Sequence, residues 1–298
     1  IDLVNDQNFV KKLIIYDLNV YFANSLQQGF IFHSIKSDKY DDDAYIVQNM
    51  FNYQTSIKPD LLKFSWECAL EKFSSLKLKF NWENDLLQIV DKNQSLDWRF
   101  IDLSILLVSD KNNEINKNFI DDKLIQIQLN DRKEKYNLEK GQLLRVYLIK
   151  QNEFLYTSLI SSHHIIYDGW SGPILYEYVH DCYLKLINNK KEEIYPIIKD
   201  DAYENAQIYL QHHLNDNKEF WQKEISNIEE RCDLNGLLKD DYKNKIILSE
   251  YDNIKELKES KLEISNDIYK SLKKLAKTNG LTINSILQFI IHKTLSIY

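Results

Sequence analysis

The spacing of apolar side chains changes along the chain, and each change predicts an element. Pro59 and Asp60 open a helix whose stripe Leu62, Trp66, Ala69, Leu70 and Phe73 recurs at helical spacing. The segment LKLKFNW (76–82) then alternates apolar and polar, as a half-buried strand does. Further strands are predicted at 44–53, 86–90, 97–103, 143–149 and 153–162. The last two form a hairpin that turns at Asn152. After Gly169 the period returns to helical, with Leu175, Tyr178, Val179, Cys182 and Leu186 on one face, before the polar stretch NNKKEE (188–193).

From about residue 200 a second unit is expected. It begins with a helical stretch, followed by a charged connection through about 258. SKLEIS (260–265) reads as a strand. NDIYKSLKKLAKTN reads as an amphipathic helix stopped by Gly280 at C′, and a last helix is capped by Thr282. In that last helix Ile283, Ile286, Leu287, Ile290, Ile291 and Leu295 cover more than a narrow stripe, which predicts deep burial. A deeply buried final helix implies a chain cut inside its second domain.

Composition narrows the function classes. A chain of 298 residues with 44% hydrophobic and 12% aromatic residues can build about two folded cores. The net charge of -7, with lysines scattered among acidic residues, leaves no electrostatic footprint for nucleic acid. No apolar run approaches the roughly 20 residues that cross a bilayer, and the N-terminus lacks the order of a secretion signal, so a cytoplasmic protein is expected. Cys68, Cys182 and Cys232 are odd in number and widely spaced, so they read as small buried hydrophobes.

The candidate chemistry lies in SSHHIIYDGWS. Successive strand side chains face opposite ways, so His163 and His164 cannot both enter one small site. A neutral imidazole there is a natural general base near neutral pH, with Asp168 as the orienting or structural anion. Gly169 frees the backbone, and N–H groups at the start of the following helix can hold a developing oxyanion. The residues alone leave other readings open. They include a metal site with Asp168, satisfied polar residues at a strand end, and a triad through Ser161, Ser162 or Ser171, for which no Gly-x-Ser-x-Gly elbow is present.

HHIIYDG resembles HHxxxDG, the signature of condensation domains of nonribosomal peptide synthetases and their chloramphenicol-acetyltransferase-like relatives. The flanks follow the family in order. NSLQQGFIFHSI (24–35) resembles its first motif, WECALEKFSSLKLKF (66–80) its second, and GQLLRVYLI (141–149) its PLLRxxL segment. Downstream, WSGPILYEY (170–178), YENAQIYLQ (203–211) and EFWQKEI (219–225) continue the likeness, followed by the helix that opens the C-terminal lobe. Lys72, Phe73 and Lys77 stand where the second motif carries Arg-His and a later Arg, and Gln142 stands for the usual Pro.

The resemblance implies a mixed α/β (α+β), chloramphenicol-acetyltransferase-like lobe over 1–190 that carries HHxxxDG. The crossover and the start of a truncated second lobe would occupy 191–298, leaving the isolated chain inactive. It implies amide bond formation between donor and acceptor thioesters on phosphopantetheine arms of carrier proteins, beside a neighbouring adenylation domain, with no bound cofactor and no metal. His164 would be catalytic, supported by His163, Asp168, Gly169, Trp170 and Ser171. Asp168 would be a structural carboxylate held by Arg145. The variants LQQGFIFHS and DGWSGPIL resemble subtypes that accept a D-configured or dual-processed donor. Alternatives are an epimerization domain, which tends to read DGVSWR where this chain has DGWSGP, a non-catalytic carrier-docking module, or a free-standing acyltransferase.

Overall fold

The computed structural model describes residues 19–37, 44–106, 113–214, 216–226, 228 and 260–296. Two compact units divide the chain at Asp216 and Asn217, and each is described by itself.

The first unit holds two sheets. A small antiparallel sheet joins β1 (Val20–Phe22), β4 (Leu87–Val90) and β3 (Leu78–Asn81) in the order β1-β4-β3. The larger has the order β2-β7-β6-β5, from β2 (Ile46–Tyr53), β7 (Leu155–His163), β6 (Leu144–Asn152) and β5 (Asp97–Asp102). The hairpin is present: β6 and β7 pair antiparallel, and the side chain of Asn152 accepts from Phe154 N at 2.8 Å across the turn. β5 pairs parallel to β6, which requires a crossover.

Helices cover the larger sheet on both faces. On one face, α2 (Pro59–Lys72) and α4 (Ser171–Ile187) place Leu62, Trp66, Leu175 and Val179 in one core with Val146, Leu148 and Ile160. On the other, α3 (Asn113–Lys133) contributes Ile120, against Tyr147, Ile149 and Leu159. Coverage of both faces explains why Leu144–Ile149 is buried at every position instead of alternating. Helix α2 starts with Pro at its first turn, as the sequence predicts, and buries Leu62, Trp66, Ala69 and Leu70. Phe73 lies past its end. Cys68 on α2 and Cys182 on α4 are buried free thiols that share a cluster with Leu186 and Ile194. Cys232 lies outside the described residues.

Helix α1 (Ser25–Ser37) begins with a reciprocal cap: Gln27 N donates to Asn24 Oδ1 and Asn24 N to Gln27 Oε1, both at 3.0 Å. Gln27 also anchors a buried polar network. Its Nε2 donates to Gln88 Oε1 at 3.1 Å and to the Tyr203 hydroxyl at 2.9 Å, while Gln88 Nε2 donates to Gln207 Oε1 at 2.9 Å. Helix α5 (Ala202–His212) is thereby tied to α1 and β4 within the first unit.

The second unit contains α6 (Lys218–Ile225), α7 (Asn266–Thr278) and α8 (Ile283–Leu295). Gly280 has the predicted left-handed backbone at φ 62°, and Thr282 accepts from Ser285 N at 3.1 Å as the cap of α8. Two expectations fail here. Residues 260–265 form no strand: their alternation is that of a strand, but no ladder partner is present among the described residues. Helix α8 is not deeply buried: Ile286 is covered, while Phe289 is 67% and Ile291 54% exposed.

Candidate active site

Strand β7 delivers the histidines. His163 pairs with Ile46 of β2 as the final residue of the strand, and the ladder ends as His164 N donates to Tyr45 O at 2.8 Å. Tyr45 has φ 68°, a left-handed backbone unusual for a bulky residue, and its ring meets Phe30 edge-on at 4.7 Å. The local fold at His164 is therefore set by α1 and by the residue that precedes β2.

The two imidazoles differ in burial and in partners, although both border Phe30, which meets His163 edge-on at 6.2 Å. His163 is buried, on the same face as Ser161 and Leu159. Its Nδ1 accepts from Ile165 N at 3.1 Å, so in the neutral ring the proton sits on Nε2, which lies 3.4 Å from Ser34 Oγ. Burial, and then the neighbouring His164, push its pKa down to about 4, so it is neutral at pH 7. His164 is half-buried and stacked on Phe30, with centroids 5.7 Å apart and planes 22° apart. Among the described residues no hydrogen bond reaches its ring nitrogens.

Asp168 lies at the surface. Its Oδ1 accepts from Ser171 N at 2.9 Å and Ser171 Oγ at 2.7 Å, and the Ser171 hydroxyl leads in holding the carboxyl below its ordinary range. Asp168 thus caps the first turn of α4. The expected Asp168–Arg145 pair does not form. Arg145 is buried on β6 and donates to Asp131 Oδ1 at 2.7 Å and to Asp131 O at 3.1 Å. The carboxylate that needs a buried cation is Asp131, 1% exposed, while Asp168 is exposed and bonded by its own helix. Asp131 also accepts from Tyr147 and, at 2.6 Å, from Gln48 Nε2.

This cluster reaches the motif through Tyr136, which sequence reasoning missed. The Arg145 guanidinium sits 4.0 Å from the centre of the Tyr136 ring. The Tyr136 hydroxyl donates to Ser161 Oγ at 3.0 Å, and the ring meets His163 edge-on at 6.4 Å. Asp131 and Tyr136 lie at and just beyond the end of α3, a helix absent from the sequence prediction, and no motif marks them.

Gly169 has no left-handed φ, and a Cβ there would meet nothing within 4 Å. The loop therefore does not need glycine for its conformation, and the space beside it is open. Trp170 is 90% exposed. The departures from the family pattern have local explanations. Lys77 pairs with Glu71 at 3.4 Å, and Lys72 lies over Phe73 and Tyr178. Gln142 has φ 53°, which a proline ring cannot adopt. No group of three or more His, Cys, Asp or Glu that could hold a metal ion occurs among the described residues, and no described helix is long and apolar enough to cross a membrane.

A family model for the condensation domain matches residues 18–298. The chain is 38% identical over 281 residues to N-(5-amino-5-carboxypentanoyl)-L-cysteinyl-D-valine synthase of Penicillium rubens, a match covering 94% of this chain and 7% of that protein. It is 25% identical over 274 residues to bacitracin synthase 3 of Bacillus licheniformis, covering 91% and 4%. The chain thus spans a small fraction of the length of these curated relatives. Among solved structures, the starter condensation domain of rhizomide synthetase RzmA superposes with a TM-score of 0.54 at 16% identity, covering 71% of this chain and 51% of that one, a likeness of fold.

Proposed function

The chain belongs to the condensation-domain family, and from that premise we propose that it forms amide bonds in nonribosomal peptide synthesis, with His164 as the catalytic residue. In this reading residues 1–190 are the lobe that carries the histidine motif and 191–298 the crossover and the start of the second lobe. Donor and acceptor residues arrive as thioesters on phosphopantetheine arms of two carrier proteins. The acceptor amine attacks the donor carbonyl, the new C–N bond forms, the C–S bond breaks, and the donor arm leaves as a thiol. His164 takes the proton released by the amine or orients that amine by accepting its hydrogen bond. His163 stays neutral and buried. Its Nδ1 holds Ile165 N, which fixes the turn that presents His164. Asp168 and Ser171 organise the start of α4.

The observation that carries the reading is the contrast between the two imidazoles. One is buried and engaged by backbone. The other is half-buried, stacked on the same Phe30 ring that meets His163 edge-on, with ring nitrogens that no described residue hydrogen-bonds. The test is single-turnover dipeptide formation with loaded donor and acceptor carriers, followed by intact-protein mass spectrometry on the full-length protein and its His164→Ala form. Transfer that slows by orders of magnitude in His164→Ala supports the proposal. Exchange of the α-proton of one tethered residue without amide formation, or no reaction with any carrier pair, rejects it.

A further inference from the structure

We propose that the cavity at the start of α4 is a side-chain pocket that selects apolar residues among the tethered substrates, an inference that rests on the amide-forming reading above. The cavity has a volume of about 260 Å³, and its walls come from three segments distant in sequence. Phe73 and Leu76 follow α2, Ile174 and Leu175 belong to the first turns of α4, and Ala202 begins α5.

Two connections join the cavity to the reacting imidazole. Tyr167, in the loop between His164 and Asp168, lines it, and so does Ser171, whose hydroxyl donates to Asp168. Tyr203, on a further wall, accepts from Gln27 of α1, and Phe30, about one turn along the same helix, stacks on His164. The cavity and the imidazole therefore share one loop, and the cavity wall at Tyr203 is held by the helix whose Phe30 stacks on the imidazole.

The chemistry of the walls favours hydrocarbon. No basic residue lines the cavity. Its one carboxylate, Asp200, already accepts from Ala202 N at 2.8 Å, and the Tyr167 and Tyr203 hydroxyls are engaged with Tyr176, Gln27 and Gln88. An anionic side chain entering would lose water, meet Asp200 and gain no counter-ion, whereas an aliphatic or aromatic one is transferred out of water onto Phe73, Leu76 and Ile174. The polar exceptions in the wall are Asp200 and the Ser74 hydroxyl, which has no partner among the described residues.

The test uses the full-length protein with Ala202→Leu, which narrows the cavity at an exposed position, and Ile174→Ala, which widens it at a side chain 62% exposed. Single-turnover amide formation is measured with glycyl, alanyl, leucyl and phenylalanyl carriers. One arm varies the donor against a fixed acceptor, and the other does the reverse. In one arm, Ala202→Leu is expected to slow leucyl and phenylalanyl transfer by about tenfold or more relative to glycyl and alanyl, while Ile174→Ala shifts preference toward phenylalanyl. The arm that responds identifies the tethered residue that enters. Equal slowing of all four substrates, or unchanged ratios in both arms, overturns the pocket. A wild-type protein that forms no amide with any pair fails the amide-forming reading itself and takes this inference with it.

Discussion

The neutral His163 ties stability to pH, and the size of the effect follows from its environment. In the unfolded chain its imidazole binds a proton below about 6.5. In the folded chain burial holds the pKa down to about 4. Between these values the unfolded state carries the extra proton, so stability falls as pH falls, with the full contribution present above 6.5 and lost by 4. One pKa unit corresponds to about 1.4 kcal/mol, so the loss reaches about 2 kcal/mol by pH 5 and about 3 kcal/mol by pH 4. The perturbation is His163→Asn, whose side-chain oxygen can still accept from Ile165 N but does not titrate. Urea unfolding of both proteins, followed by tryptophan fluorescence from pH 7.5 to 4, measures the difference. Wild type should lose its advantage by the stated amounts while carboxylate titrations common to both cancel. Identical pH dependence in the two proteins, or a His163 ring that titrates near 6.5 by NMR in the folded state, would refute the account.

Three further outcomes are expected. Arg145→Met leaves Asp131 buried without its cation and should cost about 3–5 kcal/mol, whereas Asp168→Ala removes one helix cap and should cost about 1 kcal/mol. A double-mutant cycle in thermal unfolding should couple Arg145 to Asp131 and leave it uncoupled from Asp168. Gln142→Pro demands a backbone that residue 142 does not have and should destabilise by more than about 1 kcal/mol in denaturant titration. Gly169→Ala should change stability by less than about 0.5 kcal/mol, because its Cβ meets only open space, so any loss of transfer rate in that variant reports obstruction of the reacting groups.

Where a segment's own period decided its structure, the sequence was readable. The α2 stripe at 62, 66, 69 and 70, the β6–β7 hairpin and the caps at Gly280 and Thr282 all rest on contacts within a few residues of one another. Helix α3 escaped because Leu124–Leu129 reads LIQIQL, an alternation that mimics a strand, while its buried and half-buried residues Ile120, Leu124 and Ile127 follow a helical spacing that is hidden among other apolar residues. That His163 and His164 would differ in burial was legible, His163 closing β7 and His164 lying just past it, although Phe30 borders both rings. The partner of Arg145 was not, because Asp131 reaches it only after a parallel crossover folds α3 onto the sheet. The burial expected for α8 followed from the width of its apolar face, which cannot say what covers that face.

The amide network of Gln27, Gln88, Gln207 and the Tyr203 hydroxyl bears on how such chains can be recombined. Each amide offers both donors and an acceptor, so a buried glutamine whose partner is exchanged is left with groups that nothing else satisfies, at about 1–3 kcal/mol apiece. A chimera joined anywhere between Gln88 and Tyr203 takes one half of this network from each parent. Such a junction costs least between parents that agree at these positions and at Asn24, whose Nδ2 donates to Gln207 Oε1 at 3.3 Å, whereas one placed after Gln207 inherits the set intact. Compatibility of exchanged segments is thus weighed here by a few polar side chains outside the histidine motif, and drift at any one of them makes a lineage a poorer donor of this half of the fold.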